Sequence, residues 1–116
     1  MSKEQGKKYD SGKPMPGTVL RVFPRAINAV GSAIEFGTHK YPNPNNWKLN
    51  EHIIERYTDS LVRHLTKYYA DQEFDNETGL PHLAHMAWNA LAILEYYLMN
   101  NPELVDKIMY PKEVKE

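Results

Sequence analysis

Residues 81–99, PHLAHMAWNALAILEYYLM, most constrain what this chain can fold into. Ala84, Ala87, Ala90, Leu91, Ala92, Ile93 and Leu94 leave few polar positions around a helix begun at Pro81, so the helix has to lie centrally, with other helices around it. Pro102 closes it off. The few polar positions are not scattered. At 3.6 residues per turn His82, His85 and Asn89 fall within roughly 60° of one another, a polar stripe on an otherwise apolar cylinder. An unpaired buried polar group costs on the order of 1–3 kcal/mol, so three aligned ones imply shared partners.

Two other segments have the period of a helix and supply the surroundings. From Pro24 to Phe36 the residues Phe23, Ala26, Ile27, Val30, Ala33 and Ile34 share a face, with Pro24 suited to a first turn and Gly37 to a stop. Glu35 projects away from that stripe. From about His52 to Tyr69 the residues Ile54, Tyr57, Leu61, Val62, Leu65 and Tyr68 gather on one side, opposite Glu55, Arg56, Asp59, Arg63 and Lys67. His64 sits beside the apolar edge and reads as a buried, hydrogen-bonded imidazole. Glu55, Asp59 and Arg63 step by four, which a surface ion-pair ladder explains by itself. A short amphipathic piece, PELVDKIMY, follows residue 101. No segment has the period of two that a strand requires. The expected fold is therefore all-α: a small bundle of three main helices and a short C-terminal one.

Around this bundle lie three irregular stretches. Residues 1–17, including Lys7, Lys8, Asp10 and Lys13, are polar and read as an N-terminal arm, either a solvated tail or a source of cations for a ligand. The helical domain is expected over 18–100 and the tail over 101–116. Residues 37–51, GTHKYPNPNNWKLNE, form a loop too long to be idle in a small domain. Its Tyr41 and Trp47 either pack as a lid on the helices or stack on a base. Residues 71–79, DQEFDNETG, carry Asp71, Glu73, Asp75 and Glu77, more acids than the positive end of one helix needs.

Composition narrows the chemistry. The chain has 116 residues, enough for one domain that buries roughly two thirds of its unfolded surface. Its formal net charge of −1 gives no global pull toward a nucleic-acid polymer or an anionic membrane. With no cysteine, disulfides, thiolate catalysis and Cys-type zinc sites are all excluded. No stretch approaches the ~20 apolar residues of a membrane span, and no early apolar run suits a signal peptide, so a cytoplasmic location is expected.

Two readings of the stripe compete. The histidines are either core groups bonded to carboxylates or carbonyls, or they surround a divalent metal with the acidic connector and the Asp59 row. An excess of hard oxygen ligands favours Mg²⁺ or Mn²⁺ over zinc.

The order KYDSGKP, EFGTHKYPNPNNW and RYTDSLVRHLTKYYADQEFDNETGLPHLAHMAWNALAILE resembles the phage and bacterial dATP/dGTP diphosphohydrolase family, itself similar to the all-α MazG-type nucleoside triphosphate pyrophosphatases. The resemblance implies metal-dependent hydrolysis of a purine deoxynucleoside triphosphate to monophosphate and pyrophosphate, in host cytoplasm for a phage protein. It implies Glu73, Asp75 and Glu77 as catalytic carboxylates, and Asp59, Glu73, Asp75, Glu77, His82 and His85 around metal. Lys8, Lys13, Lys40, Arg56 and Arg63 become phosphate-side cations. Tyr41, Asn46, Trp47, His64 and Asn89 complete the substrate side. Two further functions fit the same residues: a protein that sequesters a nucleotide without turnover, and a helical adaptor whose stripe is only a core network. Surplus apolar faces point to a homo-oligomer.

Overall fold

The computed structural model describes Gly6 and residues 8–110; residues 1–5 and Lys7 of the expected arm, and 111–116 of the expected tail, lie outside it. Among the described residues five helices follow in order: α1 (Pro16–Val22), α2 (Pro24–Thr38), α3 (Ile53–Tyr69), α4 (His82–Met99) and α5 (Pro102–Met109). A short 3₁₀ turn, Asn46–Leu49, interrupts the long loop before α3. The described residues hold no strand beyond an isolated bridge between Phe74 and Pro81. The all-α expectation is met, and none of these helices is long and apolar enough to cross a membrane.

Proline sets three of the starts. Pro16, Pro24 and Pro102 each stand in a first helical turn, where the missing N–H costs nothing and φ is already helical. Pro24 also separates α1 from α2, with Phe23 closing one and opening the other. Helix α1 departs from expectation: Pro16 and Gly17, expected to end the irregular arm, open a helix instead. Helix α2 departs as well. It runs through Gly37 to Thr38, whose hydroxyl donates to the Glu35 carbonyl at 2.6 Å. Gly37 has room for a Cβ and no left-handed φ, so nothing compels it to end the helix.

Helices α3 and α4 pack along one another, and α2 lies against α4. Small residues let the backbones approach: Ala84 and Ala92 of α4 are buried, with Val30 of α2 and Ile53 of α3. The interior is partly polar, since His82 and Asn89 are 1% and 3% exposed. The central placement expected for residues 81–99 holds on the stripe side. On another face Leu91, Leu94 and Tyr97 are each more than half exposed.

Candidate metal centre and adjoining cleft

The acidic connector between α3 and α4 is a folded loop with its own ladder. The Asp75 N–H donates to the Leu80 carbonyl at 2.8 Å, and the His82 N–H, at the start of α4, donates to the Glu73 carbonyl at 2.9 Å. The Gly79 N–H closes the turn onto the Asp75 carbonyl at 2.8 Å, with Gly79 at φ +72°, a left-handed conformation that favours glycine. This folding carries the Asp75 side chain back over the first turn of α4.

There, Asp75, His82 and His64 meet. One donor atom from each lies within 4.8 Å of the others, which makes this a group able to hold a metal ion. The two imidazole Nδ1 atoms are 2.8 Å apart, reaching from α3 to α4. His85 joins from the next turn of α4, its ring stacked on that of His64 with centroids 4.8 Å apart and planes 16° from parallel. Burial, then the neighbouring His85 and His82, lower the His64 pKa to about 4. Burial likewise lowers His85, against a raising effect of Asp75. Burial pushes the Asp75 carboxyl up, but hydrogen bonds from the Thr78 N–H and hydroxyl outweigh it and hold it below the usual carboxylate range.

Thr78 joins Asp75 to His85. Its Oγ1 lies 3.0 Å from Asp75 Oδ2, 2.7 Å from His85 Nε2 and 3.2 Å from the Leu80 N–H. An ionised carboxylate only accepts, so the one hydroxyl proton goes to Asp75 and the two lone pairs take the Leu80 N–H and the His85 Nε2–H. His85 Nε2 is 3.9 Å from Asp75 Oδ2, near enough for their charges to act on each other directly, and Thr78 bridges the two. The set therefore fits a cation: a carboxylate held ionised, a neutral His64, and two ring nitrogens converging from separate helices.

Not every expected site residue joins this group. Asp59 and Glu73 have exposed side chains and lie outside it; Glu73 contributes its carbonyl to the loop ladder instead. Glu77 is also exposed and ion-pairs with Lys40, linking the connector to the end of α2. Glu77 in turn raises the Lys40 pKa through that hydrogen bond and its charge. Arg63 is exposed on α3, and Lys8 and Lys13 are exposed on the arm. Asn89 is interior, its amide donating to Ser60 Oγ at 3.2 Å and to the His85 carbonyl at 2.8 Å.

A separate cleft of about 340 Å³ opens beside Lys40, between the end of α2, the 3₁₀ turn and the α3–α4 seam. Tyr41, Asn46, Trp47 and Arg56 line it, together with Asn43, Asn50, Tyr57 and Trp88. Trp47, Tyr57 and Trp88 meet edge to face, with centroids 5.5–6.0 Å apart. Trp47 thus packs on the bundle, while Tyr41 stands 59% exposed at the mouth. Tyr57 and His64 are seven residues apart on α3, which puts the cleft about 10 Å along the seam from the histidines. Thr78 went unread in the sequence although Asp75-x-x-Thr78 ahead of a glycine is a side-chain-capped turn pattern.

A family model described as dATP/dGTP diphosphohydrolase, N-terminal, matches residues 3–107. A protein of Salmonella phage PMBT28 named dATP/dGTP diphosphohydrolase is 33% identical over 96 residues, which cover 83% of this chain. The aligned part is 30% of that relative's length. No solved structure matches the chain. The motif order, the helical fold and the match over residues 3–107 agree: the chain belongs to the dATP/dGTP diphosphohydrolase N-terminal family.

Proposed function

We propose that this helical domain hydrolyses a purine deoxynucleoside triphosphate to monophosphate and pyrophosphate, with a divalent cation held by His64, Asp75 and His82. The observation that carries the reading is the convergence of those three side chains within 4.8 Å of one another. A cation bound there would neutralise phosphate charge and polarise the bond being broken. Of Mg²⁺ and Mn²⁺, the donor set of two imidazoles and one carboxylate suits Mn²⁺ better.

The chain's own residues do the rest. Thr78 holds Asp75 ionised and orients His85. Lys40 and Arg56 supply positive charge on the phosphate path between cleft and metal group. Lys40 is now paired with Glu77, and a phosphate arriving there competes with that carboxylate, releasing Glu77 to orient water. The exposed Glu73 is a second carboxylate for that role. Arg63, Lys8 and Lys13 stand further out as phosphate-side cations. Asn89 acts at one remove, by holding the stripe against Ser60.

Pyrophosphate release from dATP, dGTP, dCTP and dTTP, with Mn²⁺ or Mg²⁺, tests the reading. Purine turnover that is lost in Asp75→Asn and His82→Ala supports it; turnover unchanged in both variants overturns it. A second reading, nucleotide binding without turnover, rests on the aromatic cleft and its Arg56, which lie apart from the metal group. Nucleotide that is bound tightly and recovered intact would establish that reading. The exposed Leu91, Leu94 and Tyr97 also support a homo-oligomer, which sedimentation would reveal as a mass above 13.5 kDa.

A further inference from the structure

We propose that the outer face of α4 pairs antiparallel with the same face of a second copy of this chain, about a two-fold axis between Ala87 and Ala90. This pairing rests on the homo-oligomer reading and gives it a surface and an orientation. Helix α4 is apolar on two sides. The inner side meets α3 and α2, while Leu83, Ala87, Ala90 and Leu94 form a seam on the side turned away from the stripe of His82, His85 and Asn89. Leu83 and Leu94 are 48% and 53% exposed, Ala90 is exposed and Ala87 half-buried, and the half-exposed Leu91 and Tyr97 flank them.

The chain carries more surface than a folded monomer of its mass. At 13.5 kDa a monomer exposes about 6,500 Å², whereas this chain exposes 9796 Å². Full exposure of the twelve residues outside the described ones would account for roughly 2,000 Å² of the difference. More is left than the ~800 Å² that each partner buries in a standard interface. The spacing of the seam fits a helix as the cover, because steps of four, three and four between positions 83, 87, 90 and 94 are those of a coiled-coil core. The four residues complement themselves when the partner helix runs the opposite way. Leu83 then meets the partner's Leu94 and Ala87 the partner's Ala90, each pair occurring twice. Alanine layers at the centre let the backbones approach toward the short end of the ~8–10 Å range for packed helices, and the positive end of each α4 lies beside the negative end of the other. In the same alignment the partner's Tyr97 lies over Leu80. The Leu80 N–H is held by Thr78 Oγ1 at 3.2 Å and its carbonyl accepts the Asp75 N–H at 2.8 Å, so the second copy buttresses the turn that carries Asp75 to the histidines.

The chain has no cysteine, so introduced thiols report the alignment alone. In the full chain, Leu83→Cys combined with Leu94→Cys should give a disulfide-linked dimer under mild oxidation. Neither substitution should do so by itself, since like positions stand about 16 Å apart along the paired helices. Sedimentation of the unmodified protein should give at least twice 13.5 kDa. Ala90→Glu, which buries an unpaired charge in the seam, should weaken association about tenfold or more with an unchanged far-UV spectrum. Ala90 is exposed in the single chain, so its replacement leaves the core intact. A mass of 13.5 kDa at every concentration overturns both this pairing and the homo-oligomer reading. An oligomer that keeps its mass in Ala90→Glu, forms no disulfide in the double variant, or cross-links through Leu83→Cys alone overturns the pairing and leaves the homo-oligomer reading standing, on another surface or in a parallel arrangement.

Discussion

His64 Nδ1 and His82 Nδ1 face each other at 2.8 Å across the seam between α3 and α4. Two imidazoles this close hold one proton between them at most, and the Asp75 carboxylate stands in reach of both. The arrangement stabilises the metal-free fold as a hydrogen bond and presents ligands to a cation. The two states make different demands on the same three side chains.

Mn²⁺ should raise the melting temperature of the protein, because a ligand that binds only the folded state adds about 2.7 kcal/mol at a hundred times its Kd. Differential scanning fluorimetry over a Mn²⁺ series reads this. His64→Ala and Asp75→Asn should abolish the increment. Retention of the full increment in both would place the cation elsewhere.

Thr78→Val removes the hydroxyl that joins Asp75 to His85 and keeps the side-chain volume. Metal affinity should fall by about 10–100-fold, as it does when a group orienting a ligand is lost, with a stability cost of about 1 kcal/mol. Thr78→Ser should restore most of the affinity. Isothermal titration with Mn²⁺ separates this from a purely structural effect, which would lower stability and leave affinity in place.

The pH dependence of the metal-free protein has a defined sign. His64 takes up a proton near pH 6.5 when unfolded and only at about 4 when folded. Between those values the unfolded chain binds more protons, so stability is complete above 6.5 and declines as pH falls toward 4. The lowered His85 acts in the same direction. Asp75, whose carboxyl is held low, adds a loss only below about pH 3.8, as pH falls through its folded value. Urea unfolding in EDTA from pH 7.5 to 4 should show the decline, and His64→Gln should flatten it.

Gly79→Ala should destabilise the connector by about 1 kcal/mol, because φ +72° strains any residue with a Cβ even though the space is open. Gly37→Ala, in helical backbone with equally open space, should be neutral or stabilising. Urea midpoints of the two variants make the comparison.

Helix periods and the polar stripe are local, and the sequence by itself determined them: α3 and α4 run within a residue of their expected bounds, and the buried positions of His82 and Asn89 follow from the stripe. Helix α1 escaped notice because seven residues next to a polar arm have too few turns to show a period. The make-up of the candidate group, His64, Asp75 and His82, is only half legible in the sequence. The sequence marks Asp75 and His82, but His64 reads there as a core imidazole or a substrate contact, and Asp59 and Glu73 are indistinguishable from Asp75. Which acids face inward depends on how the connector folds around Gly79 and Thr78. Which histidine meets His82 depends on the sliding register of α3 on α4. That register is a contact between segments remote in the chain. Periodicity along one helix carries no information about it, so only the tertiary structure decided the site.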